Sequence, residues 1–159
     1  MTPGINIAVK AKVPHKIHAY THNPGNQAYG LEAAEKLRIP AARVFKTLVV
    51  HLDNNTLAVA VIPVSSQLSM KRMACGVGAK KVQMAAKSDV ERSTSYILGG
   101  VSPLGQKKRL KTIIDASAAN YPTIYVSAGR RGVEIELAPQ DLKNLTNGII
   151  WEISQNNPA

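Results

Sequence analysis

The sequence predicts an α/β fold, a single compact domain over residues 1–159 with a mixed, mostly antiparallel sheet flanked by short helices. Three observations predict it. Helix-forming stretches interleave with β-rich runs, hairpin signals recur between neighbouring runs, and 159 residues fit one domain on a prior of roughly 100–200. The hairpins argue against a doubly wound parallel sheet.

Thr2 reads as an N-cap ahead of Pro3 at the first helical position, with a helix through about Lys12 that Pro14 ends. "HKIHAY" (15–20) alternates polar and apolar residues, as a strand does. "HNPGNQ" (22–27) gathers Asn, Pro and Gly into a loop. Residues 28–38 are rich in helix formers, and Glu32 precedes Lys36 by one turn. "VFKTLVVHL" (44–52) and "TLAVAVIPV" (56–64) make a hairpin whose near-continuous apolarity predicts cover on both faces.

Ser69 caps a helix with Met70, Met73, Ala74 and Val77 on one face and Lys71 and Arg72 on the other, ended by Gly76 and Gly78. "KKVQMA" (80–85) is a short strand, "KSDVERS" (87–93) a short helix and "TIID" (112–115) another strand. "TIYVS" and "GVEIELA" form a hairpin over "AGRR". In it Val133, Ile135 and Leu137 face one side, and Glu134 and Glu136 the other. A "PQDLKNLTNG" helix and an "IIWEI" strand close the chain, which shows no repeat and no linker.

Composition narrows function. At 45% hydrophobic and 19% charged residues the chain is globular, not disordered, and its scarce aromatics leave Val, Ile, Leu, Ala and Met to build the core. One cysteine, Cys75, rules out an internal disulfide and a Cys-rich zinc site; at the edge of an apolar stripe it reads as a buried, inert thiol. His15, His18, His22 and His51 are scattered, so no metal is expected. No apolar run approaches about 18 residues and no signal-peptide core is present, so the expected location is cytoplasmic, with no membrane partner. A net charge of +10 points to a polyanion, with nucleic acid first.

Catalytic signatures such as a nucleophile elbow, a Walker loop or paired cysteines are missing. Lys46 interrupts an apolar strand, where a lysine either snorkels to an edge or sits in a site as a point charge for phosphate or carboxylate. Thr47 follows it on the opposite face, so both side chains line one pocket only if the strand twists or bulges there. "GGVSPLG" (99–105) is a stiff glycine-rich loop able to aim backbone N–H groups at an anion or at a carbonyl oxygen gaining charge. "QKKRLK" beside it is either a phosphate-contacting rim or a solvated run.

"TPGINIAVKAK", "IHAYTH", "FKTLVV", "VGAKKVQMA", "RSTSYILGGVSPLGQKKRLKTIID" and "TIYVSAGRRGVEIELAPQDL" resemble, in order and spacing, the YbaK-type Cys-tRNA(Pro) deacylases. These are free-standing relatives of the editing domain of bacterial prolyl-tRNA synthetases. The resemblance runs from about residue 2 to residue 153 and is most specific in "STSYILGGVSPLGQKKRL". It implies the editing-domain fold, no metal or cofactor, and trans-editing of cysteine mischarged onto tRNA(Pro), possible also for other small aminoacyl-tRNAs. The family's proposed mechanism lets the substrate's own thiol attack the ester, which agrees with the missing triad.

By position, the resemblance puts the family's functional lysine on Lys46 and the first glycine of its loop on Gly99. Substrate contacts fall on Tyr20, Tyr29, Thr47, Gly100, Ser102, Pro103, Ser127 and Glu134. Lys107, Lys108, Arg109, Arg130 and Arg131 are the expected RNA contacts, the cations nearest the loop and the last hairpin. Glu134 stands where the family has aspartate, and Ala128 and Ser95 stand where it has glycine. The implied partners are the acceptor end of aminoacylated tRNA(Pro) and a complex with prolyl-tRNA synthetase. A non-catalytic RNA-binding module on the same fold is the alternative.

Overall fold

The computed structural model describes residues 1–26 and 28–156. The last residue of the 22–27 loop and residues 157–159 of the expected domain lie outside them. Helix α1 (Pro3–Ala11) starts where the Thr2 hydroxyl accepts the Ile5 N–H at 3.2 Å and stops at Lys12, which takes the left-handed conformation. Strand β1 (His15–Ala19), helix α2 (Tyr29–Leu37) and the hairpin β2 (Phe45–Leu52) and β3 (Leu57–Pro63) follow as expected. So do α3 (Met70–Val77), capped by Ser69, β5 (Val82–Met84) and α4 (Lys87–Thr94). Gly78 ends α3, but Gly76 lies inside it, pressed on Ile113 and Trp151. Cys75 is exposed, not buried.

β6 (Lys111–Asp115), β7 (Ile124–Arg130), β8 (Val133–Leu137), α5 (Pro139–Thr146) and β9 (Ile149–Trp151) complete the expected set. Two short strands escaped it. β4 (Ser66–Leu68) pairs antiparallel with β10 (Ser154–Asn156), a partnership across most of the chain. Asp115, 1% exposed, anchors that tail: its Oδ1 accepts the N–H groups of Ile153 at 3.0 Å and Ser154 at 2.9 Å.

The larger sheet runs β5-β2-β3-β6-β9, antiparallel in its first two pairings and parallel in its last two. Both of its faces are covered. Val50, Ala58, Ala60, Ile62 and Ile113 pack with Met73 and Val77 of α3. Phe45, Val49, Val59, Val61 and Ile114 form the main core with Ile124, Val126, Ile135 and Leu137 of the smaller sheet, β1-β8-β7. Cover on both faces is what the uninterrupted apolar runs require. The sheets meet where Val44, just before β2, bridges Tyr125 of β7.

The second face of the smaller sheet is covered too. α2 and its neighbours bring Ala33, Ala34 and Val64 against Tyr125. Alternation therefore placed Glu134 and Glu136 on the correct face but not in solvent; Glu134 is 6% exposed.

Candidate active site

β5 pairs with β2 only at Val50–Leu52, so the Phe45–Leu48 half of that edge has no ladder partner among the described strands. A cavity of about 370 Å³ opens against this free edge. Its other walls are the first turn of α2 (Tyr29, Gly30, Leu31), the loop at Leu98–Gly99, and Ser127 and Glu134 of the smaller sheet. Because the cavity lies at the edge of β2, not on one face, Lys46 and Thr47 both line it although they alternate.

Lys46 is half-buried and, among the described residues, pairs with no carboxylate within 4.0 Å. Burial pulls its pKa below the usual lysine value of 10.5. Glu134 is the cross-strand partner of Ser127, so the two project from one face into the cavity. Burial pushes Glu134 up to about 8, leaving it protonated at neutral pH. Tyr20 is pushed up to about 12, first by burial and then by the Glu134 charge, and so keeps its proton. The cavity thus holds a cation and a neutral acid among its lining residues.

Thr47 Oγ1 is the one buried side-chain polar atom without a hydrogen-bond partner among the described residues. Such an atom costs about 1–3 kcal/mol unless something bonds it. Gly99 takes φ +94, and its N–H makes no hydrogen bond among the described residues. The Gly100 N–H is already committed to the Ile97 carbonyl at 2.9 Å. Of the two paired glycines, Gly99 alone keeps an unbonded N–H among the described residues.

The structure gathers Tyr20, Tyr29, Lys46, Thr47, Gly99, Ser127, Glu134, Arg130 and Arg131 around one space. It sets others apart. Gly100 faces a second cavity behind the loop, with Tyr96 and Ile97. Ser102 and Pro103, expected among the substrate contacts, are buried; the Ser102 hydroxyl accepts the Leu104 N–H at 3.1 Å beneath α1. Lys107 and Lys108 are tied through their N–H groups to Thr94 and Ser93 at the end of α4, and with Arg109 they are exposed away from the cavity lining.

Sequence reading missed the support under this site. Glu32, 2% exposed, accepts His22 Nδ1 at 2.6 Å and the Asn23 N–H at 2.9 Å. Burial alone would raise its pKa, but these hydrogen bonds, together with the charges of His22 and Lys36, outweigh burial and hold it below 4.5. His22 in turn meets the Tyr29 ring at 5.6 Å. A Glu32/Lys36 spacing reads as a surface pair, so nothing local marked Glu32 as the anchor of the loop beside the cavity.

Comparison with known proteins gives this geometry a family. The aminoacyl-tRNA editing domain model matches residues 26–145. The chain is 40% identical to a protein of Enterococcus faecalis named as a candidate Cys-tRNA(Pro)/Cys-tRNA(Cys) deacylase, over 96% of this chain and 93% of that one. It is 24% identical to an uncharacterised protein of Bacillus subtilis over 76% of each. A solved structure of a candidate trans-editing enzyme for prolyl-tRNA synthetase superposes with TM-score 0.82 at 19% identity, covering 98% of this chain and 99% of that one. A hypothetical protein superposes with TM-score 0.87 at 21% identity over 97% and 100%. At these identities the structures speak for the fold alone.

Proposed function

The chain belongs to the aminoacyl-tRNA editing domain family, and on that premise we propose that it is one editing domain that hydrolyses the ester joining cysteine to tRNA(Pro). The observation that carries the reading is a donor set without a nucleophile. Lys46 and Gly99, whose N–H is unbonded, line one cavity together with Thr47, yet no cysteine or histidine lines it among the described residues. Ser127 pairs with the protonated Glu134 across the hairpin, and its Oγ accepts the Gly129 N–H at 3.1 Å. A serine without a base is a weak nucleophile.

Attack then comes from the substrate. The cysteine thiol attacks its own ester carbonyl: the C–S bond forms, the C–O bond to the ribose breaks, and the thiol proton ends on the ribose oxygen. A thiolactone leaves and water opens it. Lys46 and the Gly99 N–H serve the oxygen that gains charge, or Lys46 serves the terminal phosphate. With Glu134 protonated, the Lys46 charge acts unopposed on either anion. The small space between β2 and α2 favours short side chains, at about 1–3 kcal/mol per methylene, so other small aminoacyl esters are secondary substrates. A chain of this size grips the acceptor end, and a complex with prolyl-tRNA synthetase supplies the choice of tRNA.

Lys46→Ala tests the enzyme against a silent RNA-binding module. Release of cysteine from Cys-tRNA(Pro) should fall to the buffer rate while circular dichroism and tRNA affinity change little. Undiminished release in the variant contradicts the role given to Lys46. Absence of release by the unmodified protein favours the RNA-binding module.

A further inference from the structure

Arg130, the last residue of β7, and Arg131, the first of the turn to β8, sit side by side, and both border the cavity. Their surroundings differ. Arg130 is exposed, and its side chain makes no ion pair, hydrogen bond or ring contact among the described residues. Arg131 is spoken for: its guanidinium carbon lies 4.1 Å from the centre of the Tyr29 ring, and its Nη2 donates to the Leu98 carbonyl at 2.9 Å. We propose that Arg131 is a positioning residue for the Gly99 loop, a planar latch joining the hairpin, α2 and the loop, and not a contact for RNA phosphate.

The loop is pinned on both sides of Gly99. Before it, the Leu98 N–H is held by Glu91 of α4 at 3.0 Å and the Leu98 carbonyl by Arg131. After it, the Gly100 N–H closes a turn on Ile97. Between these fixed points the Gly99 N–H stays unbonded, which is the state an oxyanion donor needs before substrate arrives. Tyr29, the surface on which the guanidinium rests, is itself steadied by His22 and the buried Glu32.

The latch also explains why position 99 is glycine. A Cβ there would lie 2.5 Å from Tyr29 Cε2 and 2.7 and 2.8 Å from Arg131 Nε and Nη2. The missing side chain is the room through which the guanidinium reaches the Leu98 carbonyl. Glycine serves the latch at least as much as it serves close approach of a ligand.

The inference rests on the deacylase reading, so its test carries one arm that needs no activity. Arg131→Ala, Arg131→Lys and Arg130→Ala are compared in single-turnover deacylation of Cys-tRNA(Pro), in tRNA binding across salt, and in amide hydrogen exchange over residues 97–101. For Arg131→Ala the saturating rate should fall about tenfold, the size of one cation–π contact plus one hydrogen bond. Its tRNA affinity and salt slope should hold. Arg131→Lys should not rescue, because an ammonium has the charge but neither the planar face nor the fork. Exchange over 97–101 should quicken in both. Arg130→Ala should instead weaken binding and flatten the salt slope by roughly 0.7–0.9.

Rescue by lysine overturns the latch. So does an Arg131→Ala protein with an intact saturating rate, weaker binding and a flatter salt slope, for then Arg131 is a phosphate contact. If the unmodified protein deacylates nothing, the deacylase reading falls by itself, and unchanged exchange over 97–101 is what overturns the latch.

Discussion

Glu134 owes its chemistry to where the hairpin leaves it. Strand alternation put it opposite Val133 and Ile135, on a face that α2 then covers, and burial moves its pKa from 4.5 to about 8. The consequence for stability has a definite sign. A raised folded-state value means the contribution of this group is complete below about pH 4.5 and is lost as pH rises through about 8. Glu134→Gln should therefore match the parent in Tm near pH 4.5 and exceed it at pH 9, read from thermal melts across that range; parallel melting curves contradict the assignment. Lys46 makes the companion case. Its half-buried ammonium has no ion pair among the described residues, so Lys46→Met should raise Tm while abolishing deacylation, a trade of stability for function. The sequence marked Lys46 by its oddity in an apolar strand, but no sequence signal shows that Glu134 is covered.

The elements around the site are held by contacts of different legibility. α1 and α3 could be read to their caps, because Thr2, Pro3, Ser69 and Gly78 act on their own helices. α2 is placed by a contact no local pattern shows: a Cβ on Gly30 would sit 2.2 Å from Val64 Cγ1. Gly30→Ala should push α2 off the end of β3, carry Tyr29 with it, and cost about 1–3 kcal/mol of stability in denaturant unfolding. A neutral result would mean that α2 is not seated there. β4 and β10 went unread for a similar reason, since three-residue strands find their partner across most of the chain. Asp115 shows how that tail is kept: Asp115→Ala strands the N–H groups of Ile153 and Ser154 and should cost about 3 kcal/mol.

At the scale of the molecule, the alternation of helices and hairpins was enough for the fold class, and the mixed sheet confirms it. The cavity was not legible in the same way, because it arises where β5 stops short of the Phe45–Leu48 edge, a fact of strand length and register. Charge acts over the whole surface. The net charge is +10, and the Lys107–Arg109 run is exposed beyond the cavity lining. Replacing all three by glutamine should weaken tRNA binding and flatten the salt slope by roughly 0.7–0.9 for each phosphate they neutralise. An unchanged slope would mark the run as solvated only.

In the proposed reaction the substrate supplies the nucleophile, and the cavity supplies the donors that receive the charge. The measurement that meets it directly is the single-turnover deacylation rate of one tRNA(Pro) charged in turn with cysteine, serine and alanine. The prediction is fast release of cysteine, with a thiolactone as the first product, and release of serine and alanine near the buffer rate. Equal rates for the three, or no release of cysteine above buffer, would contradict it.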